Sequence, residues 1–487
     1  MTINKNLMVE IGLVYVKGSL PRFEGFGNLP TCKVMKDGSV NGSPASEVLD
    51  LIIIPGGSMI ESKSITAELK EEIIRISKTG FVLGICSGFQ ILANKTNTGR
   101  KSPVPLITNG LGLLDAEFEP LICTDWVFAD VVGESFLTDG MENNNKNVSG
   151  FHCHTYGNIS VGKNAKPILI SHAKRLNYIE DAKEIISGVC NKRGNVVGIM
   201  PHAILDENDG FVRSALQSLD VSETGLLEIK QKNKELIKNM ESELGICTDI
   251  PTEPQNSTLY KTPKVLVLTA TKTGAGKTFI TAGIAGAFAK RGYKVCVMKV
   301  GSDLRDVVPA LYLIKKPVEK YTTIQIGDRG WTPIKDAIKS ATEANYDYIL
   351  IEGTMGALSG LLDPSVEYPM STIKTALAIN APVLLTTDCK PHGLESAVLD
   401  LQIHIETLKS MGVDIMGIII NKYPSIPSNA VKNAVFDFLN SVRVLGIIPK
   451  IAEQSRGILP EIEIQYEVFA KYALDGVEKY VHLDEIL

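Results

Sequence analysis

Long apolar runs, CxxC pairs and a strong charge imbalance are all missing from this 487-residue sequence. No stretch reaches the roughly 18 apolar residues that a membrane-spanning helix needs, so we expect no membrane partner. Acidic residues outnumber basic residues only 55 to 50, which gives no signature of nucleic-acid binding. The eight cysteines are scattered along the chain. Reduced thiols are the expectation for a large cytoplasmic protein.

The first 16 residues contain a short apolar run that is interrupted by Glu10. This pattern predicts a buried strand better than it predicts a secretory signal peptide. Together with the scattered cysteines, it favours a cytoplasmic location.

Short β-rich apolar segments alternate with helical segments through most of the chain. Seven of them are predicted to be buried strands: residues 51–55, 81–85, 264–270, 294–300, 348–353, 382–387 and 415–421. Continuous apolar strands, each followed by a turn and a helix, are typical of parallel sheets covered on both faces. The predicted class is therefore α/β, with two doubly wound parallel-sheet domains.

A charged helix followed by a polar stretch marks the predicted domain boundary. Residues 223–244 are rich in charge and carry apolar residues at a helical spacing. Residues 247–264 contain three prolines among serine, threonine and asparagine, which is typical of an extended linker. We therefore predict domains at 1–219 and 263–487, joined by a helix and linker at 220–262.

The strand KVLVLTA runs into a glycine-rich turn and a helix, which is the setting of a phosphate-binding loop. The loop consists of Lys272, Thr273, Gly274, Ala275, Gly276, Lys277 and Thr278. Its glycines let the backbone wrap closely around a phosphate, and N–H groups at the helix start point at the anion. We expect Lys277 to neutralise phosphate charge and Thr278 to hold Mg²⁺. A glycine-rich turn without a ligand is the alternative.

Three further polar residues follow strands of this half at the points where the strands end. Asp303 and Glu352 each lie at such a strand end, where ligands bind in open α/β sheets. Their carboxylates could hold Mg²⁺ directly or through water, although an acidic residue alone often caps a helix. Asn421 ends a later strand and is a candidate contact for adenine.

The segments KVGSD and EGTMG, with the late strand ending in Asn421, resemble the synthetase domain of cobyrinic acid a,c-diamide synthase. The loop itself is similar to that of dethiobiotin synthetase, with Thr271 where the common loop has its first glycine. The resemblance implies ATP and Mg²⁺ as cofactors, and activation of a carboxylate as an acyl phosphate that ammonia displaces. It also implies that Lys299, Asp303 and Asp306 lie near the γ-phosphate or the substrate.

Lys272 also fits the KxxxxK spacing of partitioning-type ATPases, in which a second lysine reaches across a dimer. This resemblance implies a homodimer. A solvated lysine is the alternative.

A second candidate site lies in FVLGICSGFQ, which is predicted to be a strand, a sharp turn and a helix. Gly84, Cys86 and Gly88 form the nucleophile-elbow pattern with cysteine in place of serine. A helix that begins after Cys86 would favour its thiolate form. Backbone N–H groups near Gly57 and Ser87 are candidates for an oxyanion hole. A buried core cysteine is the alternative.

The segments around Cys86 and His202 resemble class I glutamine amidotransferases, above all the cobyric acid synthase group. GICSGFQ, GLGLLD at 110–115, GFHCHTYG at 150–157 and the segment around His202 occur in the same order as in that group. The resemblance implies glutamine as a partner, Cys86 as nucleophile and His202 as catalytic base. It also implies a flavodoxin-like amidotransferase fold here and a P-loop NTPase fold in the second half.

Two features depart from these families. Most class I amidotransferases have glutamate two residues after the histidine, where this chain has Ile204. Another group must then orient His202, and Asp206 and Glu207 are candidates. The order of the two domains is also reversed, since the synthases usually begin with the ATPase.

His152 and His154 could chelate a metal, because strand alternation places them on one face. No third ligand is evident in the sequence, so a structural role is the favoured interpretation.

The leading hypothesis is an ATP- and glutamine-dependent amidoligase that acts on a tetrapyrrole with carboxylate side chains. One alternative keeps the chemistry but changes the substrate to a cell-wall lipid precursor. Another is a partitioning-type regulatory ATPase with a sensor or inactive amidotransferase domain.

Overall fold

The computed structural model describes residues 9–15, 24–57, 65–141, 147–177, 181, 183–243, 262–327, 329–361, 370–390, 392–439, 441–451 and 466–487. The chain divides into two compact units, whose described residues come from Met1–Gly245 and from Ile246–Ser455 with Gln465–Leu487. The division falls within the segment 220–262 that was predicted to be a helix and linker, of which residues 244–261 lie outside the described part. Among the described helices, none combines the length and apolar character that membrane crossing requires.

The described strands of the first unit are β1 (Ile11–Val14), β2 (Cys32–Val34), β3 (Ser39–Val40), β4 (Ser43–Pro44), β5 (Leu51–Ile54), β6 (Phe81–Ile85), β7 (Lys95–Asn97), β8 (Ile107–Asn109), β9 (Ala116–Glu119), β10 (Trp126–Val131), β11 (Asn147–Phe151), β12 (Asn158–Val161), β13 (Ala165–Ala173), β14 (Lys183–Asn191) and β15 (Val196–Ile199). Its α-helices are Ala45–Val48, Ala67–Thr79, Ser87–Leu92, Ile204–Glu207, Asp209–Ser218 and Glu223–Glu243.

A nine-stranded mixed sheet in the order β11-β10-β13-β14-β15-β6-β5-β1-β2 organises the first unit. The strands from β15 to β2 pair in parallel and include the predicted strands β5 and β6. The strands from β11 to β14 extend this sheet in antiparallel fashion, which the sequence did not indicate. They alternate between buried and more exposed residues, so they lack the continuous apolar runs of β5 and β6. A separate sheet has the order β12-β9-β7-β8.

The second unit is built on β16 (Lys264–Ala270), β17 (Val295–Val300), β18 (Thr323–Ile324), β19 (Tyr348–Glu352), β20 (Gly360–Leu361), β21 (Met370–Ser371), β22 (Val383–Asp388), β23 (Ile415–Tyr423) and β24 (Val444–Pro449). Its α-helices are Lys277–Lys290, Val308–Ile314, Ile334–Glu343, Thr372–Ala378, Gly393–Ser410, Asn429–Phe438 and Tyr466–Tyr480.

A seven-stranded parallel sheet in the order β18-β17-β19-β16-β22-β23-β24 forms the centre of this unit. Its strands are buried almost throughout, because helices cover both faces. All seven strands that the sequence predicted are present in the two units, and the α/β class is confirmed. The described cysteines are all free thiols, and Cys247 lies outside the described part.

The helix Glu223–Glu243, which the sequence predicted at 223–244, packs on the first unit. Asn233 Nδ2 donates a hydrogen bond to Pro30 O at 2.9 Å, and Lys33 Nζ lies 2.6 Å from Glu243 Oε2. Met240, a residue of this helix, is buried, with 1% of its surface exposed. Burial of this apolar side predicts that the helix contributes to the stability of the unit.

Met240→Ala is therefore expected to destabilise the first unit by about 2–4 kcal/mol, because it removes a buried side chain and leaves a cavity. Leu227→Ala on the same helix is the matched control, since Leu227 is 69% exposed. That control should change the free energy of unfolding by less than about 0.5 kcal/mol. Urea unfolding followed by circular dichroism measures both effects, and equal losses would contradict the packing.

Candidate functional site

Cys86 lies at a sharp turn between β6 and the helix Ser87–Leu92. Its φ of 52° and ψ of −107° are strained for a residue with a side chain. The flanking glycines permit the turn: a Cβ atom at Gly88 would lie 2.1 Å from Ile54 O, and one at Gly84 would lie 2.6 Å from Gly88 O. The structure therefore has the elbow geometry that the sequence pattern predicted.

His202 follows β15, which pairs in parallel with β6, so both strands deliver their next residues to the same edge of the sheet. The Cys86 side chain lies close enough to the imidazole of His202 to raise its pKa, while Cys86 Sγ itself contacts Cys153 O at 4.0 Å. Gly56 leaves the room for this contact, because a Cβ atom there would lie 2.4 Å from His202 Cε1 and 3.3 Å from Cys86 Cβ. Phe151 stacks on the imidazole, with ring centroids 5.3 Å apart.

Glu24 holds the other side of the imidazole, and sequence reasoning missed it. His202 Nδ1 lies 2.8 Å from Glu24 Oε1, and the amide of Ala203 donates to Glu24 Oε2 at 3.1 Å. Both side chains are almost completely buried. The contact joins residues 178 positions apart, so no local sequence pattern could have marked it. Cys86, His202 and Glu24 thus form a thiol–imidazole–carboxylate arrangement.

The expectation that Asp206 or Glu207 orients His202 is corrected by this contact. Ala203 adopts a left-handed conformation with φ of 57°, and the short helix Ile204–Glu207 begins after it. Asp206 then accepts hydrogen bonds from the amides of Gly25 and Gly27. It therefore contacts the turn that follows Glu24, and the carboxylate on His202 Nδ1 belongs to Glu24.

The electrostatic setting of His202 favours its protonated form. Burial lowers the pKa of His202, but the hydrogen bond and charge of Cys86, followed by those of Glu24, outweigh burial and raise that pKa to about 10. An imidazolium that interacts with Cys86 and Glu24 holds its proton at neutral pH. The arrangement can therefore supply a proton to a leaving group.

Gly57 and Ser87 are the two residues whose backbone amides were predicted to form an oxyanion hole. Gly57 follows Gly56 at the end of β5, has a φ of 131° and is exposed. Ser87 is buried and begins the helix after Cys86. Their role as backbone donors stays a prediction.

His152 and His154 form a hydrogen-bonded pair beside this site. His154 Nδ1 donates to Leu121 O at 3.0 Å, because a carbonyl can only accept. His154 Nε2 then accepts from His152 Nδ1, also at 3.0 Å. Burial lowers the pKa of His154 to about 4 and the pKa of His152 well below its usual value, so both rings are neutral. Within the described residues no group of three or more His, Cys, Asp and Glu could hold a metal.

The phosphate-binding loop connects β16 to the helix Lys277–Lys290. Gly274 and Gly276 have φ values of 82° and 99°, which favour glycine. Thr273 and Gly274 form its exposed tip, where a Cβ atom on Gly274 would meet no atom within 4 Å, whereas Ala275 is buried. An open tip of backbone N–H groups in front of a helix fits an anionic phosphate.

Four polar side chains meet at the strand ends beside the loop. Thr278 Oγ1 donates to Glu352 Oε1 at 2.8 Å, and Lys299 Nζ lies 3.4 Å from the same oxygen. Lys299 Nζ also lies 2.6 Å from Asp306 Oδ2. Burial lowers the pKa of Lys299, but Glu352 and Asp306 raise it above its usual value. These contacts hold a charged lysine in a nearly dry site.

Glu352 has the features of a metal-binding carboxylate. Its Oε2 atom is buried and has no hydrogen-bond partner among the described residues. Oxygen donors such as this carboxylate and the Thr278 hydroxyl are what Mg²⁺ prefers. Asp303, the other predicted ligand, lies at the side of the cluster, is half exposed and pairs with Arg305 at 3.2 Å.

Lys277 points at a backbone carbonyl of the neighbouring loop. Its Nζ atom donates to Met355 O at 2.5 Å, and Met355 has a φ of 51°. Burial lowers the pKa of Lys277. A lysine whose hydrogen bond is to a neutral carbonyl keeps its charge available for a phosphate.

Asn421 and Lys422 contact backbone carbonyls of the loop, and Lys272 ties the start of the loop to Asp388. Asn421 Nδ2 donates to Ala275 O at 3.0 Å, and Lys422 Nζ donates to Gly274 O at 2.6 Å. Lys272 Nζ lies 2.9 Å from Asp388 Oδ1, which belongs to the same unit. The described contacts of Asn421 are thus with the loop itself, and its contact with adenine stays a prediction. The sequence did not indicate Lys422 or Asp388.

Glu24→Gln should slow alkylation of Cys86 by iodoacetamide at neutral pH, because it removes an anion that stabilises the imidazolium partner of the thiolate. The pKa of His202, now about 10, should also fall in this variant, because the imidazolium loses an anionic neighbour. Peptide-level mass spectrometry distinguishes Cys86 from the other thiols. Glu207→Gln is the matched control, and equal rates in both variants would contradict the assignment.

Comparison with known proteins confirms the resemblances drawn from the sequence. Residues 16–210 match the CobB/CobQ-like glutamine amidotransferase domain, and residues 266–459 match the CobQ/CobB/MinD/ParA nucleotide binding domain. Cobyrinate a,c-diamide synthase of Streptococcus sanguinis is 27% identical over 234 residues, which cover 46% of this chain and 49% of that protein. Cobyric acid synthase of Clostridium botulinum is 36% identical over 200 residues, which cover 39% of this chain and 35% of that protein.

Hydrogenobyrinate a,c-diamide synthase of Mycobacterium bovis is 29% identical over 190 residues, which cover 39% of this chain and 40% of that protein. This chain spans less than half the length of each of these relatives. The chain therefore combines a first region that matches the CobB/CobQ-like glutamine amidotransferase domain with a second region that matches the CobQ/CobB/MinD/ParA nucleotide binding domain.

Proposed function

We propose that the chain is a glutamine-hydrolysing, ATP-dependent amidoligase that converts carboxylates into amides. The observation that carries this proposal is the Cys86–His202–Glu24 arrangement, present in one chain with a phosphate-binding loop. Amide synthesis needs both a source of ammonia and an activated acid. The thiolate would release ammonia from an amide, and ATP held by the loop would activate the carboxylic acid that accepts the ammonia.

In the first unit the Cys86 thiolate attacks the side-chain amide carbon of glutamine and forms a thioester. The carbon–nitrogen bond breaks, and His202 gives its proton to the departing ammonia. Water then hydrolyses the thioester to glutamate and restores the thiol. Glu24 orients the imidazole throughout, while the amides of Gly57 and Ser87 would stabilise the oxyanion.

In the second unit Lys272–Thr278 would hold the phosphates of ATP, and Asn421 would lie near its base. Thr278 and Glu352, with Asp303 beside them, would hold Mg²⁺. The substrate carboxylate attacks the γ-phosphorus and ADP leaves, which gives an acyl phosphate. Ammonia attacks the acyl carbon and phosphate leaves, so that the product is an amide. Lys299 and Asp306 would face the γ-phosphate or the substrate.

The proposed acceptor is a tetrapyrrole with carboxylate side chains, and the names of the relatives support it: they act on cobyrinate, hydrogenobyrinate or the route to cobyric acid. The proposed reaction draws on ATP and glutamine, which favours a cytoplasmic location. A cell-wall lipid precursor is the alternative acceptor.

Cys86→Ser is expected to abolish amide formation from glutamine, with a loss of about a thousandfold or more, and to keep amide formation from ammonium chloride. Mass spectrometry of cobyrinic and hydrogenobyrinic acids after incubation with ATP, Mg²⁺ and either nitrogen source measures this. Cys153→Ser serves as control. A Cys86→Ser protein that still forms the amide from glutamine would contradict the proposal.

Lys277→Ala is expected to reduce substrate-dependent ADP release by about a hundredfold or more, because the phosphate charge loses its partner. Lys290→Ala on the same helix is the matched control, since Lys290 is exposed and pairs with Glu478. Glutamate release without substrate should change little in either variant. Nucleotide-driven dimerisation in a protein that releases no glutamate would instead favour the partitioning-type ATPase.

A further inference from the structure

The turn directly after Glu24 has an unfavourable backbone. Phe26, Gly27 and Asn28 have φ values of 55°, 61° and 55°, so three consecutive residues are in the left-handed region. Glycine and asparagine tolerate this conformation, but for Phe26 it is unfavourable and persists only where the surroundings hold it. The position of Glu24 therefore depends on whatever fixes this turn.

The turn packs closely against Leu205 and Val212. A Cβ atom at Gly27 would lie 2.4 Å from Val212 Cγ2 and 3.3 Å from Leu205 O. Phe26 is buried with 2% of its surface exposed. The turn thus packs directly against the segment that follows His202.

Asp206 binds this turn with both oxygens of its carboxylate. Oδ2 accepts from the amide of Gly25 at 2.6 Å, and Oδ1 accepts from the amide of Gly27 at 2.7 Å. Short hydrogen bonds to an ionised acceptor are stronger than those between neutral groups. Asp206 lies four residues after His202. One short segment therefore carries both the imidazole and the carboxylate that binds the turn after Glu24.

We propose that Asp206 is the positioning residue of the glutaminase site: it holds the turn 25–28 so that Glu24 meets His202. The inference rests on the proposed function of that site. It closes a ring of contacts from His202 to Glu24, through the turn to Asp206, and back along the chain to His202.

The chemistry explains why a carboxylate stands at position 206. Two amides point to one side chain, and asparagine would offer them only one acceptor oxygen. The choice has an electrostatic cost, because partial loss of water and the nearby charge of Glu24 raise the pKa of Asp206 to about 6. A second carboxylate so close to Glu24 is unfavourable unless its two hydrogen bonds are needed.

The test is a double-mutant cycle in the full chain, with glutamate release from glutamine as the assay. Asp206→Ala should lower kcat between about tenfold and a hundredfold, the effect of a small displacement of a catalytic group, and change KM by less than about twofold. Asp206→Asn should lose less, since it keeps one acceptor. In the Glu24→Gln background, Asp206→Ala should lower kcat by less than about twofold further.

A pH profile gives a second readout that a merely structural role would not move. The titratable groups around His202 are Cys86, Glu24, His152 and His154. Of these, Glu24 is the one that Asp206 holds in place. Asp206→Asn should therefore lower the pKa of His202 and move the alkaline limb of the pH profile of glutamate release to lower pH, as Glu24→Gln should. Glu207→Gln, on the same helix, should leave both rate and profile unchanged.

Equal losses of kcat from Asp206→Ala in the wild-type and Glu24→Gln backgrounds would overturn the inference, and so would an unchanged kcat. Should Asp206→Ala fail to fold, Asp206→Asn in both backgrounds decides by the same criterion. Cys86 alkylation by iodoacetamide is measured on all variants. If the wild-type protein releases no glutamate, the proposed function fails, while the same coupling in alkylation rates still tests the positioning role.

Discussion

A buried hydrogen bond between His202 and Glu24 is the contact on which the first unit's chemistry depends. It sets the direction of the imidazole, and with Cys86 it keeps the ring protonated. The elbow at Cys86 and the bare backbone at Gly56 place the thiol within reach, but neither can orient the ring. The constraint is long-range, since residues 24–28 must fold against the segment around residue 202 before the site is complete.

The second unit also contains a buried cation that contacts carboxylates, but here the cation is a lysine. Lys299 is nearly dry, and Glu352 and Asp306 keep it charged. Removal of either anion would leave a buried charge with fewer partners, which is more costly than the loss of an exposed pair. In both units, carboxylates thus stabilise a buried cation: Glu24 beside His202, and Glu352 with Asp306 beside Lys299.

The sequence was sufficient for the class of fold and for the two glycine-rich turns at Cys86 and the phosphate loop, because each follows from a local pattern, whereas His202 was identified through the family resemblance. It was insufficient for Glu24, Asp388 and Lys422, whose partners are distant along the chain. It also missed the antiparallel strands, because half-exposed strands lack a continuous apolar run. Asp206 shows an intermediate case: its importance was suspected, but its contact is with the Glu24 turn.

The neutral pair of His152 and His154 has a consequence for the charge balance around Cys86 and His202. Their tautomers are fixed by Leu121, and neither ring gains a proton near neutral pH. Of the three imidazoles, His202 alone then carries positive charge. His202 keeps its proton over the neutral range, and the two neighbouring rings add hydrogen bonds without a titration of their own there.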